Sequence, residues 1–256
     1  MPHPSSTSFW GAPASGGDQR QYIALRDHFV REIGAGALKP GAKLPSERQL
    51  QDGAGIARGT VREALFQLEA EGLIYRRDRS GWYVSPPPII YDPTRWAGFM
   101  SYVSEQGRVP STTLLSTALV NASALQADVF GLSPEAPLYV LRRRRSIDGR
   151  AVLVEDICVN PELAPKLLRH PLDGSLTQIL RGEYGLAVAR NRVDMRPCAL
   201  TKTEAEALGA KPGTPGLLVV RTSLDAEGRV VEYDREYWRH DAMRIQVDIS
   251  VSPDVC

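Results

Sequence analysis

The sequence predicts an α+β protein of two domains, an N-terminal helical domain that ends in a short hairpin and a C-terminal domain with a mainly antiparallel sheet. Three observations predict it: helical periodicity up to Gly72, a proline-rich break at residues 85–93, and strand-like runs joined by turn signals after that break. At 256 residues, 43% hydrophobic and 24% charged, the chain can form two modest hydrophobic cores.

The N-terminal domain is expected at residues 18–85, after a disordered tail of residues 1–17 that is rich in Pro, Ser and Gly. A first helix is predicted over residues 18–34, because apolar residues recur there at helical spacing. Ser46 and Gln49 form a capping box that begins a short second helix ending near Gly53. A third helix carries one apolar stripe, made of Val61, Ala64, Leu65 and Leu68.

Strands at residues 73–77 and 82–84 complete three helices and a basic hairpin, which is the pattern of a winged helix-turn-helix. Arg58, Thr60 and Arg62 stand in the first turns of the third helix, where side chains of such a domain reach base edges in the major groove. Arg48 would contact the DNA backbone, and the wing would reach phosphates or the minor groove through Arg76, Arg77 and Arg79.

Arginines on the surface of an amphipathic helix more often serve only to make its exposed face soluble. The sequence pattern alone does not decide between this alternative and DNA binding. Residues 18–85 hold eleven Lys or Arg against nine Asp or Glu, so the segment has a net charge of only +2. The whole chain has a net charge of +1, so a nucleic-acid partner must be met by a local patch.

The composition indicates a cytoplasmic protein without metal, cofactor or membrane partner. Cys158, Cys198 and Cys256 are odd in number and widely separated, with no paired metal-ligand spacing. No run of about 18 apolar residues and no secretory signal pattern is present. No nucleophile elbow or phosphate-binding glycine loop appears either, so no catalytic residue is predicted.

A stiff linker is predicted at residues 86–95, because consecutive prolines favour extended polyproline geometry. The second domain is expected to span residues 96–256. A helix is predicted at residues 95–106, and Asp148-Gly149 is a hairpin turn signal. The other predicted elements are strands at residues 112–120, 138–147, 151–159, 187–197, 217–224, 230–239 and 244–251, and helices at residues 123–130, 175–184 and 203–208.

In the predicted strand around Leu141, side chains alternate between the two sheet faces, so that Arg143 and Arg145 project together among apolar neighbours. Buried arginines are costly unless an anion answers them. That anion is either a bound ligand or, as the structural alternative, Glu155 or Glu232 of the protein itself.

The runs PGAKLPSERQL, ARGTVREAL and LEAEGLIYRR closely resemble the DNA-binding domain of GntR-family bacterial transcription regulators, from about Tyr22 to Val84. The resemblance implies DNA contacts by Arg48, Arg58, Thr60 and Arg62, with Gly59 allowing close backbone approach and Gly81 shaping the wing tip. Two departures stand out. Ala57 occupies a position where the family usually has Ser or Thr as helix cap, and the wing lacks the usual doubled glycine.

The runs LRRRRSIDGRAVLVED and VVEYDREYWRHD resemble the UTRA domain of the HutC subfamily from about Arg95 onward. This resemblance implies a fold similar to chorismate lyase and a small anionic effector. It assigns Arg143 and Arg145 to the effector anion, and Glu232 with Trp238 to its other end. Trp238 stands where the family has a tyrosine, which removes a hydroxyl donor.

The segment GWYVSPP followed by YDPTRW resembles regulators of phosphonate utilisation, so 2-aminoethylphosphonate is the effector we expect. Sugar phosphates and carboxylates such as urocanate are the alternatives. We expect a homodimeric repressor that binds double-stranded operator DNA. A lyase-like enzyme and an architectural DNA-binding protein are the rival classes.

Overall fold

The computed structural model describes residues 18–77, 80–95 and 97–249, with side chains from residue 21 onward. It divides into two compact units between Pro87 and Pro88. The fold class, an N-terminal helix-turn-helix domain followed by an α+β domain with a mainly antiparallel sheet, is as predicted.

The first unit contains three helices and a two-stranded antiparallel sheet. The helices are α1 (Asp18–Gly34), α2 (Glu47–Ala54) and α3 (Arg58–Ala70), and the strands are β1 (Ile74–Arg77) and β2 (Gly81–Val84). Their apolar faces meet in one core, in which the α3 residues Val61, Ala64, Leu65 and Leu68 are all buried.

Helix α2 is fixed at both ends by local chemistry. The Ser46 side chain accepts a hydrogen bond from the Gln49 backbone, and the Gln49 side chain accepts one from the Ser46 backbone. Gly55 ends the helix with φ of 64°, a left-handed conformation that glycine adopts without steric cost. These two ends set the tight turn that leads into α3.

The second unit is built on a six-stranded sheet in which every neighbouring pair is antiparallel, with the order β4-β5-β6-β9-β8-β7. Both Asp148 and Gly149 have positive φ, at 50° and 76°, and they form the predicted hairpin turn. The strands are β4 (Pro110–Asn121), β5 (Pro137–Ile147), β6 (Arg150–Val159), β7 (Arg190–Ala199), β8 (Pro215–Leu224) and β9 (Val230–Arg239).

Helices cover both faces of this sheet. The helices are α4 (Phe99–Ser104), α5 (Ala124–Phe130), α6 (Leu176–Tyr184) and α7 (Lys202–Leu208), with a 3-10 turn at Leu167–Arg169. On one face, α4 packs over Leu153 and Trp238, while α6 packs over Leu141 and Ile157. Polar residues fill the space between these two apolar clusters, and this is where the candidate effector site lies.

Three sequence expectations were wrong in detail. Residues 89–91, inside the predicted linker of residues 86–95, form strand β3 (Ile89–Tyr91), and the last predicted strand, residues 244–251, is shortened to β10 (Met243–Ile245). The two strands pair in parallel with each other instead of joining the large sheet. The predicted helix over residues 95–106 is also shorter, because it begins only after the cap at Gly98. No helix in the described part of the chain is long and apolar enough to cross a membrane.

The cap position just before helix α3 is Ala57, whose side chain makes no capping hydrogen bond. We expect Ala57→Ser to raise the free energy of unfolding of the first unit by about 1 kcal/mol, because a serine hydroxyl can accept from a free backbone N–H of the first turn. Urea unfolding of the full chain measures it. Ser46→Ala, which removes the existing cap of α2, should cost about the same amount. No gain in Ala57→Ser would mean that water already satisfies the α3 terminus.

Candidate DNA-binding surface and effector cavity

The predicted DNA-contacting arginines of the first unit lie on one exposed surface. Arg48 is exposed on α2, and the side chains of Arg58 and Arg62 on α3 are 68% and 59% exposed. The Glu47 carboxylate lies between the last two, with Oε2 at 3.8 Å from Arg58 Nε and 3.4 Å from Arg62 Nε. The two arginines are thus held side by side by an anion that a DNA phosphate could replace.

Thr60 differs from the other predicted contacts. It is only 7% exposed and faces the core side of α3, so its burial disfavours the predicted direct contact with a base. Gly59 is exposed, and a Cβ built there would meet nothing within 4 Å, which leaves room for close approach of a DNA backbone. Gly81 has φ of 106°, as a sharp wing turn requires.

The wing arginines stack on aromatic rings. The Arg77 guanidinium carbon lies 4.9 Å from the ring centroid of Tyr83, and that of Arg76 lies 5.9 Å from the ring centroid of Trp82. Such cation–π contacts restrict long side chains without neutralising their charge. Arg79, the third wing arginine of the prediction, lies outside the described residues.

In the second unit, a polar cavity lies on the sheet face between α4 and α6. It encloses about 400 Å³ of empty space, including its solvent-filled mouth. Charged side chains from four strands form its floor: Arg143, Arg145, Glu155, Arg221, Glu232, Asp234 and Glu236. Phe99 and Tyr102 of α4 and Thr177 of α6 form its walls.

The predicted anion-binding arginines both bond the same carboxylate oxygen of the protein. Arg143 Nε and Arg145 Nε donate to Glu155 Oε1 at 2.6 and 2.8 Å, and all three side chains are buried. Burial alone would raise the pKa of Glu155, but the two guanidinium charges outweigh that effect and lower it. The structural alternative from the sequence, a bridge to Glu155, is therefore present, and Glu155 is ionised at neutral pH.

A second ion pair closes the other side of the cavity floor. Arg221 Nη2 donates to Glu236 Oε1 at 2.7 Å, and Trp238 Nε1 donates to Glu236 Oε2 at 2.8 Å. Trp238 is only 1% exposed and packs on Phe99, so the structure does not place its ring in the cavity as the sequence had implied. Its position indicates that it orients Glu236 from behind.

Between these ion pairs lies a pair of acidic side chains without a full set of partners. Burial, and next the neighbouring Glu232 carboxylate, raise the pKa of Asp234 well above its usual range. Burial also raises the pKa of Glu232. A hydrogen bond between the two carboxyls also contributes to the raised pKa of Asp234. Asp234 Oδ1 is buried and has no hydrogen-bond partner among the described side chains.

Of the four effector-binding residues that the sequence predicted, Arg143, Arg145 and Glu232 line the cavity, and Trp238 lies behind it. It missed Arg221, Asp234 and Glu236. The signal for the two acids was available, because residues 232, 234 and 236 alternate along β9 and must share a sheet face. Arg221 comes from β8, opposite Asp234, and that pairing needs the sheet order.

Three arginines and four carboxyls leave the cavity floor without a strong excess of either charge. A ligand with both a negative and a positive group would therefore meet partners for each, whereas a simple anion would meet a carboxylate wall as well as the arginines. Among the described residues, no group of three or more His, Cys, Asp or Glu is arranged to hold a metal ion.

Comparison with known families finds two matching domain models. Residues 21–84 match bacterial regulatory proteins of the gntR family, and residues 105–244 match the UTRA domain. The two matches together span most of the chain, and they correspond to the two structural units.

Relatives with known sequences match over nearly the whole chain. The HTH-type transcriptional regulator YihL of Escherichia coli K12 is 31% identical over 225 residues, which are 88% of this chain and 95% of YihL. The HTH-type transcriptional repressor NagR of Bacillus subtilis is 28% identical over 86% of this chain and 90% of NagR. The crystal structure of PhnF from Mycobacterium smegmatis superposes with a TM-score of 0.63 and 26% identity, covering 89% of this chain and 99% of PhnF.

We expect Glu155→Gln to destabilise the second unit by about 3–5 kcal/mol, because it leaves two buried guanidinium groups without their shared counter-ion. Urea unfolding followed by far-UV circular dichroism measures the loss. The matched control is Glu206→Gln, which removes one partner of an exposed pair with Lys202 and should change stability by less than about 0.5 kcal/mol. Equal effects of the two substitutions would show that Glu155 does not hold the arginines in place.

The raised pKa of Asp234 predicts a specific pH dependence. Between its unfolded and folded pKa the native protein holds one more proton than the unfolded chain, so this group lowers the free energy of unfolding by up to about 1.4 kcal/mol per pH unit as pH rises above about 4. In Asp234→Asn that contribution is absent. The stability difference between variant and wild type should therefore grow in favour of the variant as pH rises above about 4.

Urea unfolding at several pH values tests this dependence. Asp194→Asn, at an exposed position on β7, is the control and should run parallel to the wild type. If Asp234→Asn also runs parallel, the pKa of Asp234 is not raised in the folded protein.

Proposed function

We propose that this chain, which belongs to the GntR family of bacterial regulatory proteins and carries a UTRA domain, is a transcriptional repressor whose effector is a small zwitterion. Both domain matches and the relatives identify a ligand-responsive regulator, and the assignment to the GntR family made from the sequence is confirmed. The charge of the effector and the sign of regulation are the proposal.

The observation that carries the proposal is the cavity floor, in which buried arginines lie beside the acid pair Glu232 and Asp234, whose pKa values are both raised. Arg143 and Arg145 each use Nε for Glu155, and Nη1 of each also donates within the protein, from Arg143 to the Leu172 and Gly174 carbonyls and from Arg145 to the Thr112 hydroxyl. The proposal therefore uses Nη2 of each arginine as the donor for a ligand anion. Asp234 Oδ1 is an acceptor without a donor, and a cation there would find a partner. The arginines therefore favour a negative group of the ligand, and Asp234 favours a positive one.

The candidate effector is 2-aminoethylphosphonate. Its phosphonate would bind Arg143 and Arg145 with the Thr177 hydroxyl nearby, and its ammonium would bind Glu232 and Asp234. This modifies the expectation from the sequence, because Asp234 replaces Trp238 as the group next to the ammonium. The resemblance of the segment around residues 81–96 to phosphonate-utilisation regulators supports the same compound.

Repression is supported by NagR, which is described as a transcriptional repressor. We propose that two copies bind a pseudo-palindromic operator through Arg48, Arg58 and Arg62, with Arg76 and Arg77 on the flanking phosphates or minor groove. Effector binding would then weaken DNA affinity by a coupling of ~1–3 kcal/mol, which is about 5–150-fold.

Fluorescence anisotropy on the upstream DNA of the gene, with and without 2-aminoethylphosphonate, tests the proposal. We expect salt-sensitive binding that the compound weakens. Arg143→Ala should lose the response to the compound and keep DNA affinity, whereas Arg144→Ala, from the opposite sheet face, should keep both. Arg58→Ala should lose DNA affinity and keep effector binding. Thermal melts of each variant establish that it folds.

Binding of 2-aminoethylphosphonate should also release a proton, because an ammonium next to Asp234 favours the ionised carboxylate. Isothermal titration calorimetry in two buffers of different ionisation enthalpy reports that proton. Specific DNA binding that is indifferent to the compound would exclude this effector and favour a sugar phosphate or a carboxylate such as urocanate. Turnover of the compound would instead favour the lyase-like enzyme.

A further inference from the structure

Strand β3 (Ile89–Tyr91) is the first element of the second unit, since it begins immediately after Pro88. Its Ile89 and Tyr91 side chains are buried, whereas Ile90 is 49% exposed. Among the strands that the structure describes, β3 pairs only with β10, over three residues. A strand with so few hydrogen bonds moves at lower cost than one inside a large sheet, so its position depends on its side-chain contacts.

Tyr91 contacts two residues that line the cavity, although it does not line the cavity itself. The Arg221 guanidinium carbon lies 5.8 Å from the centroid of the Tyr91 ring, as in a cation–π contact. The rings of Tyr91 and Tyr102 lie 5.6 Å apart between centroids. Because Arg221 also donates to Glu236 in the cavity floor, one side chain connects that floor to β3.

The side chain of Gln106 ties β3 to helix α4. Its Oε1 accepts a hydrogen bond of 2.8 Å from the Ile90 backbone N–H. Its Nε2 donates to the Ile90 carbonyl at 2.8 Å and to the Tyr102 carbonyl at 2.9 Å. Since Phe99 and Tyr102 of α4 form a wall of the cavity, β3 is linked to both the wall and the floor of the cavity.

We infer that Tyr91 is a positioning residue, which holds β3 in the arrangement that favours DNA binding while Arg221 lies against its ring, and releases β3 when an effector displaces Arg221. The inference rests on the proposed function, in which the effector ammonium binds at Asp234. Asp234 stands directly opposite Arg221 on the neighbouring strand, and two cations at close range in a buried site repel each other. The ammonium therefore moves the guanidinium away from Tyr91, and β3 loses that contact.

Tyr91→Leu tests the inference, because it removes the aromatic ring and keeps an apolar side chain. Fluorescence anisotropy without any effector should show DNA binding at least about fivefold weaker than in the wild type, which is the lower end of usual allosteric couplings. Isothermal titration calorimetry should show 2-aminoethylphosphonate bound as tightly as in the wild type or more tightly, because the variant has no Tyr91 contact left to break. A residue that serves only stability would weaken both affinities.

The matched control is Ile90→Ala, on the same strand but at an exposed side chain, and it should change neither affinity. Thermal melts establish that each variant folds. If Tyr91→Leu does not fold, Arg221→Lys replaces it in the DNA measurement. A lysine keeps the positive charge beside Glu236 but lacks the planar fork that reaches the carboxylate and the ring together, so the same loss of DNA affinity is expected.

Three results would overturn the inference: DNA affinity of the Tyr91 variant, or of its replacement, within about twofold of the wild type; an equal loss in Ile90→Ala; or a parallel loss of DNA and effector affinity in Tyr91→Leu. The DNA measurement needs no effector, so a wild type that ignores 2-aminoethylphosphonate removes the proposed effector and leaves the test of Tyr91 in place. A wild type that responds to the compound, together with a Tyr91→Leu variant that binds DNA and responds equally, leaves the function standing and removes this inference.

Discussion

The second unit depends on one interaction, the carboxylate of Glu155 shared by Arg143 and Arg145. Glu155 stands on β6 between Leu153 and Ile157, each of which belongs to a different apolar cluster. Burying a charged carboxylate at that position would destabilise the fold if two guanidinium groups did not neutralise it. Directly across the strand pair stands Glu236, a second buried acid, which is answered by Arg221. Ion pairs therefore hold the polar centre of the sheet on two sides, Glu155 with its arginines on one and Glu236 with Arg221 on the other. The cavity lies between these two ion pairs.

Much of this was predictable from the sequence because it depends on local periodicity. The alternation of side chains along a strand placed Arg143 and Arg145 on one face, and capping chemistry at Ser46 located the start of α2. The absent cap at Ala57 was also visible, and the structure has no side-chain hydrogen bond there. Direct DNA contacts and effector contacts stay predictions, since no bound partner tests them.

What could not be predicted depends on contacts between distant segments. Strand β3 pairs with β10, which follows more than 150 residues later in the chain. The sequence of neither strand indicates which other strand it pairs with. In the same way, the sequence offered Glu155 and Glu232 equally as partners of the arginines, and only the strand order β5-β6-β9 brings Glu155 directly opposite Arg143. Thr60 stands between two exposed arginines in the sequence, yet the 3.6-residue repeat of α3 turns it toward the core.

The position of Glu47 between Arg58 and Arg62 would have a consequence for the proposed binding of DNA. If the two arginines contact phosphates, Glu47 competes for their charge, and part of their attraction to any phosphate is offset. This offset is the same for every DNA sequence, whereas base contacts are added only at the correct one. Such an acidic contact would therefore shorten the time spent on random DNA and leave the discrimination between sites unchanged.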